Sequence, residues 1–212
     1  MEGQLKTFTV AIDDIQRQML KMGELVNREM NLAVESIFSE KKDIENEVIQ
    51  IDKKVDDFDN KIQSSILQLI TIQPPFPREL EVLTTMIRIS RELERIGDHS
   101  VNIVEISQFI KVNKASQLYI VFREMSGLTS KMLEESIQML RKSSNDQEQL
   151  IMEKEEEVDR YFDANQKFIV AEMRRDNEQI ESLVHLLMVN RYLERGADHI
   201  VNVVRLHEKS ND

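Results

Sequence analysis

Apolar residues recur three and four positions apart along most of the chain, the spacing that gathers them on one face of an α-helix, and breaks in that spacing mark off six helical stretches. The first is expected from about Thr9 to Glu40. Asp43 is placed to cap the second, with Glu45 and Glu47 in its first turn, where acids complement the helix dipole. That helix carries IDKKVDDFDNKIQSSILQLI and should stop near QPPFP, because a residue before proline avoids the α region. Pro77 suits the first position of a third helix, with Glu79 following and an end near Lys111. After the connection VNKASQ, a fourth helix is expected over about Leu118 to Lys142. Ser144 with Gln147, or Asn145 with Glu148, would form a capping box that opens a fifth helix ending near RRDN. Asp176 with Gln179 offers another box, opening a sixth helix that runs to about His207 before the tail EKSND.

The pattern also repeats. LERIGDHSVNIV at 93–104 returns as LERGADHIVNVV at 193–204, an offset of 100, while QIDKKVDDFD at 50–59 overlays MEKEEEVDRYF at 152–162 at an offset of 103. Val55 then falls on Val158 and Asp56 on Asp159, and the proline-rich loop of the first half absorbs the difference. Three helices bury a long helix's apolar surface where two cannot, so the expected fold is all-α: two tandem three-helix bundles, residues 1–113 and 114–212, related by internal duplication.

Composition agrees with long helices, since glycine (5) and proline (3) are scarce and 41% of residues are hydrophobic. A net charge of -11 without any block of Lys or Arg disfavours a nucleic-acid surface and leaves proteins or cations as partners. The absence of cysteine excludes disulfides and thiolate metal sites and suits a reducing cytosol. MEGQLKTFTVAIDD has no basic segment followed by an apolar one, so no secretory signal is expected. SILQLITI and LVHLLMV are far shorter than the roughly 20 residues a membrane span needs, so a membrane role would be peripheral.

Candidate chemistry lies in the repeated phrase. Stepping about 100° per residue along helix three, Val82, Met86, Ile89, Leu93, Ile96 and Ile103 form one stripe. Leu83, Ile87 and Val101 form its neighbour, which contains Glu94 and has Asp98 one turn on at its edge. Helix two has Asp52 and Asp56 at the same four-residue step, and the second half repeats it with Glu155 and Asp159 and with Glu194 and Asp198. In a short-looped bundle these helices are antiparallel neighbours, so two acid pairs face each other in each half. Clustered carboxylates repel unless protons or cations compensate them, and oxygen-only donors suit Mg, Ca or Mn, with iron where carboxylates bridge. The plainer reading is a surface ion pair, because Arg91 and Arg95 lie three residues before Glu94 and Asp98. Gly97 and Gly196 fit a close approach beside Asp98 and Asp198 or simple tolerance of a mid-helix glycine. His99 and His199 point about 100° away from those acids and are read as surface polar or partner-contacting residues. His185 and His207 have no repeated counterparts.

The tandem LERIGDH and LERGADH phrases, each preceded by a helix with a D/E-x-x-x-D step, resemble the PhoU family over nearly the whole chain. The resemblance implies two similar three-helix bundles and a cytoplasmic, non-catalytic negative regulator of the phosphate-starvation (Pho) response. Such a protein links the ATPase of a phosphate-specific ABC transporter to a membrane sensor histidine kinase, and several family members are dimers. It also implies that the motif residues Asp52, Asp56, Glu94, Asp98, Glu155, Asp159, Glu194 and Asp198 hold metal, with Fe, Zn, Mn or Mg as candidates. The second copy departs from the pattern: GAD stands where IGD is usual, which puts equal occupancy of the two sites in question.

Two other classes compete with an adaptor. A carboxylate-bridged metal bundle with storage or redox activity calls for Glu-x-x-His, whereas the repeated histidine here lies five residues after the Glu. A phosphotransfer bundle would use an exposed His99 or His199 as carrier. No phosphate loop, H-E-x-x-H or nucleophilic Ser/His/Asp arrangement is apparent.

Overall fold

A computed structural model describes residues 2–39, 43–111, 117–141 and 145–211, with side chains described for 9–39, 43–111, 117–141 and 147–209. These residues form α1 (Glu2–Ile37), α2 (Asp43–Ile72), α3 (Pro77–Ser107), α4 (Gln117–Arg141), α5 (Asn145–Arg175) and α6 (Ile180–Asn211), with a 3-10 turn at Asn177–Gln179. The expected all-α architecture is what the chain adopts. The expected division at 113/114 and the Ser144 and Asn145 capping boxes lie outside the described residues or side chains.

Most helix ends fall where local chemistry puts them. Pro77 opens α3, and the Glu79 carboxylate accepts the Phe76 N–H at 2.7 Å, meeting one of the donors a helix start leaves free. α3 stops at Ser107, earlier than the apolar pattern suggested, and the Lys111 N–H donates to Ser182 Oγ at 2.7 Å, which holds the chain against the start of α6. Asp176 caps the 3-10 turn rather than α6 itself, accepting from Glu178 N–H at 3.0 Å. α6 continues through the polar tail to Asn211, and Asp43 is the first residue of α2.

Each half packs its own three helices, with α1, α2 and α3 in mutual contact and α4, α5 and α6 likewise. The halves then join through two antiparallel pairs, α1 with α4 and α3 with α6, leaving α2 and α5 on the outside. In the first pair Asn27 donates to Glu134 at 3.1 Å and Asn31 to Ser130 at 3.0 Å. Gly23 gives Ile137 its place there: a β-carbon on residue 23 would stand 2.7 Å from Ile137 Cγ1. One continuous apolar core runs through both halves.

Burial shows the duplication more fully than the motifs do. Ile15, Met19, Met22, Val26, Glu29, Met30, Ala33, Val34 and Ile37 are all buried on α1. At an offset of 103, so are Leu118, Phe122, Met125, Thr129, Met132, Leu133, Ser136, Ile137 and Leu140 on α4. The same overlay at an offset of 100 places Gly97 on Ala197 and Glu92 on Tyr192.

Candidate functional site

The antiparallel packing of α2 on α3, and of α5 on α6, brings the eight expected acids into two clusters. In the first half Asp52 and Asp56 lie within electrostatic reach of Asp98, and Glu94 feels Asp98, Asp59 and Asp56. In the second, Glu155, Asp159 and Glu194 all feel Asp198. Burial first, and the neighbouring carboxylates second, push Glu94, Asp98, Glu155, Asp159 and Glu194 upward and raise Asp52 to about 6. The ion-pair reading also holds in part. Arg91 reaches Glu94 at 3.2 Å and Arg191 reaches Glu194 at 2.7 Å, both half out in solvent, where such pairs contribute little. Among the described residues, no three acidic or histidine side chains are placed to hold an ion together.

Two residues at the first cluster were not foreseen. Asp59, at the end of the Asp52–Asp56–Asp59 run, is buried and accepts from Ser90 Oγ at 2.8 Å, Gln63 at 2.6 Å and Arg91 at 3.2 Å. Its partners satisfy it. Glu29 of α1 is fully buried at 0% exposure, and neither carboxylate oxygen has a hydrogen-bond partner. Burial, followed by the charges of Asp52, Asp56 and Asp98, pushes it up to about 9, so the carboxyl is held neutral at pH 7. Met22, Val26, Glu29 and Ala33 follow the 4-3-4 spacing of a core stripe, so projecting α1 would have exposed it.

Gly97 explains how Glu29 fits. A β-carbon there would stand 3.2 Å from Glu29 Oε2, 3.5 Å from Val55 Cγ1 and 3.6 Å from Asp52 Oδ1. The close approach proposed for this glycine is real, and what approaches is the acid cluster. At Gly196 the same construction meets only the Thr129 methyl, at 3.9 Å. The second half has Met132 where the first has Glu29, and Ala197 where the first has Gly97.

The histidines overturn their expected surface placement. His99 and His199 meet across the α3–α6 contact with ring centroids 5.4 Å apart, and Tyr192 stacks on His99 at 5.5 Å. His199 Nδ1 donates to Glu92 Oε2 at 2.7 Å, and Asn202 donates to the same oxygen at 3.0 Å. Both His99 nitrogens are buried without partners, which removes the exposed ring a phosphate carrier needs. The reason is topological, because one helix cannot reveal that its polar face meets the matching face of its own repeat. Burial first, then the charges of His199, Arg195 and Arg95, hold His99 down to about 4. Unfolded, it would take up a proton below about 6.5, so its stabilising contribution is lost as pH falls from 6.5 toward 4. His99→Phe should therefore lose less melting temperature than the wild type between pH 7 and pH 5. Equal losses would contradict this account of the contact.

Comparison with known proteins places both halves in one description. A PhoU domain model matches twice, over residues 19–107 and 122–206. The chain is 23% identical over 199 residues to a phosphate-specific transport system accessory protein PhoU homolog of Clostridium acetobutylicum, covering 93% of this chain and 91% of the relative. It is 29% identical over 188 residues to the homolog of Deinococcus radiodurans, covering 87% and 86%. The crystal structure of PhoU from Pseudomonas aeruginosa superposes with a TM-score of 0.89 at 21% identity over 96% of this chain and 98% of that one. The phosphate transport system regulatory protein PhoU from Streptococcus pneumoniae gives a TM-score of 0.86 at 22% identity, covering 96% of each.

Proposed function

The chain belongs to the PhoU family, and on that premise we propose that it is a non-catalytic negative regulator of the phosphate-starvation response. In this reading it links a phosphate-specific ABC transporter to a sensor histidine kinase and modulates phosphate uptake. The observation that carries it is the double domain match, one copy in each half, together with similarity over most of the chain to relatives named as accessory proteins of phosphate transport. It acts from the cytoplasm, as a homodimer, through protein contacts. No helix among the described residues is long and apolar enough to cross a membrane, so partners bring it to the bilayer.

The two acid clusters are cation sites in the same proposal. Their donors are all carboxylate oxygens, which suit hard divalent ions and bridged iron. The partnerless oxygens of Glu29 in the first cluster, and of Glu194 Oε2 in the second, fit a missing positive charge. Bound there, an ion would neutralise carboxylates that otherwise repel one another.

Deleting the gene should raise expression from a phosphate-regulated promoter in phosphate-rich medium. The tagged protein should co-purify with the transporter ATPase or the sensor kinase. Unchanged expression together with no association would refute the regulatory role.

A further inference from the structure

The duplicated bundle is unequal at one point, and the inequality is built from two helices at once. On α1 the first half places a glutamate where the second has Met132, and on α3 it places glycine where the second has Ala197. In the first half a carboxylate therefore points into the space a methyl group would fill, while in the second the corresponding positions carry apolar side chains. Glu29 Oε2 and Asp52 Oδ1 both lie within 4 Å of that one point above Gly97. Burying a carboxyl with no partner on either oxygen is strongly unfavourable unless a ligand meets it.

We infer that Glu29 is the inward ligand of a hard divalent-cation site over Gly97, joined by Asp52 and by the rim carboxylates Asp56 and Asp98, and that the second half's cluster has no counterpart to this ligand. This deepens the proposal that the clusters bind cations and rests on it. The roles divide by burial: Glu29 is fixed within the core, whereas Asp52 and Asp56 are half-buried and Asp98 is exposed, so the rim carboxylates must rotate toward Glu29 to close around an ion. A cation held by Glu29 sits deeper than one held at the rim alone, where water screens the attraction. The first site is therefore the tighter of the two.

The test uses the full chain, freed of metal by chelation and titrated with Mn2+ while free ion is followed by electron paramagnetic resonance. The wild type should show one tight site and a weaker remainder. Glu29→Gln should weaken the tight site at least about 10-fold, and Gly97→Ala should weaken it with every carboxylate intact, because its methyl occupies the approach. Glu35→Gln, an exposed acid on the same helix, serves as the control. Melting curves without metal establish that each variant is folded. Wild-type binding at the first cluster that survives both Glu29→Gln and Gly97→Ala unchanged would overturn the role of Glu29 and leave the clusters as cation sites. Two equal sites in the wild type would overturn the asymmetry, and no Mn2+ binding at all would overturn the cluster proposal with it.

Discussion

Replacing Glu29 with methionine should stabilise the metal-free protein at pH 7 by on the order of 3 kcal/mol. The folded carboxyl is held up to about 9 and the unfolded one titrates near 4.5. Between these values unfolding releases a proton. Stability is therefore greatest below about 4.5 and falls as pH rises, until the folded carboxyl itself ionises near 9. Methionine has no such dependence, and it is the residue the second half places at the matching position, Met132. Urea unfolding of both proteins at pH 5, 7 and 8.5, with a chelator present, should show the gap between them widening with pH. A gap that stays constant would mean that packing, rather than a buried carboxyl, accounts for the difference. Saturating divalent cation should narrow the gap, because a ligand that binds only the folded wild type stabilises it by mass action.

Gly23→Val should destabilise the protein by about 3 kcal/mol, toward the upper end of what overpacking a core produces. Even a β-carbon at residue 23 would stand 2.7 Å from Ile137 Cγ1 and 2.9 Å from Cδ1, so α1 and α4 must separate or Ile137 must leave its rotamer. The two halves share one core, and this pair is one of the two contacts that join them. The loss should appear as a lower denaturant midpoint for both halves together, read by probes placed in each. A variant with wild-type stability would show that the crossing is looser than its geometry implies.

The acid cluster and the contact between halves are neighbours on α3. Gly97 and Asp98 line the first cluster, and His99, the next residue, stacks on Tyr192 and meets the His199 ring at a tilt. His199 also contributes to the charge environment of Asp98. A change of charge at the cluster therefore acts directly beside the packing of α3 on α6.

Periodicity and punctuation determined much of this protein. The 3.6-residue apolar spacing named six helices, Pro77 set the start of α3, and the repeated D/E-x-x-x-D steps picked out eight acids that the structure gathers into two clusters, though not Glu29 or Asp59, which join the first. These features are local: a helix's faces and ends are written within a few residues of one another, and a duplicated sequence carries its own internal check. Tertiary structure alone decided what each face meets. His99 and His199 read as surface residues because their partners, Tyr192 and Glu92, come from the other copy about a hundred residues away. Glu29 sat on a core stripe in plain view, but its meaning came only when α1 closed over α2 and α3 and set its bare carboxylate above Gly97. Helix periodicity reports which side is inward, while the chemistry of that side depends on which other helix supplies, or withholds, the matching group.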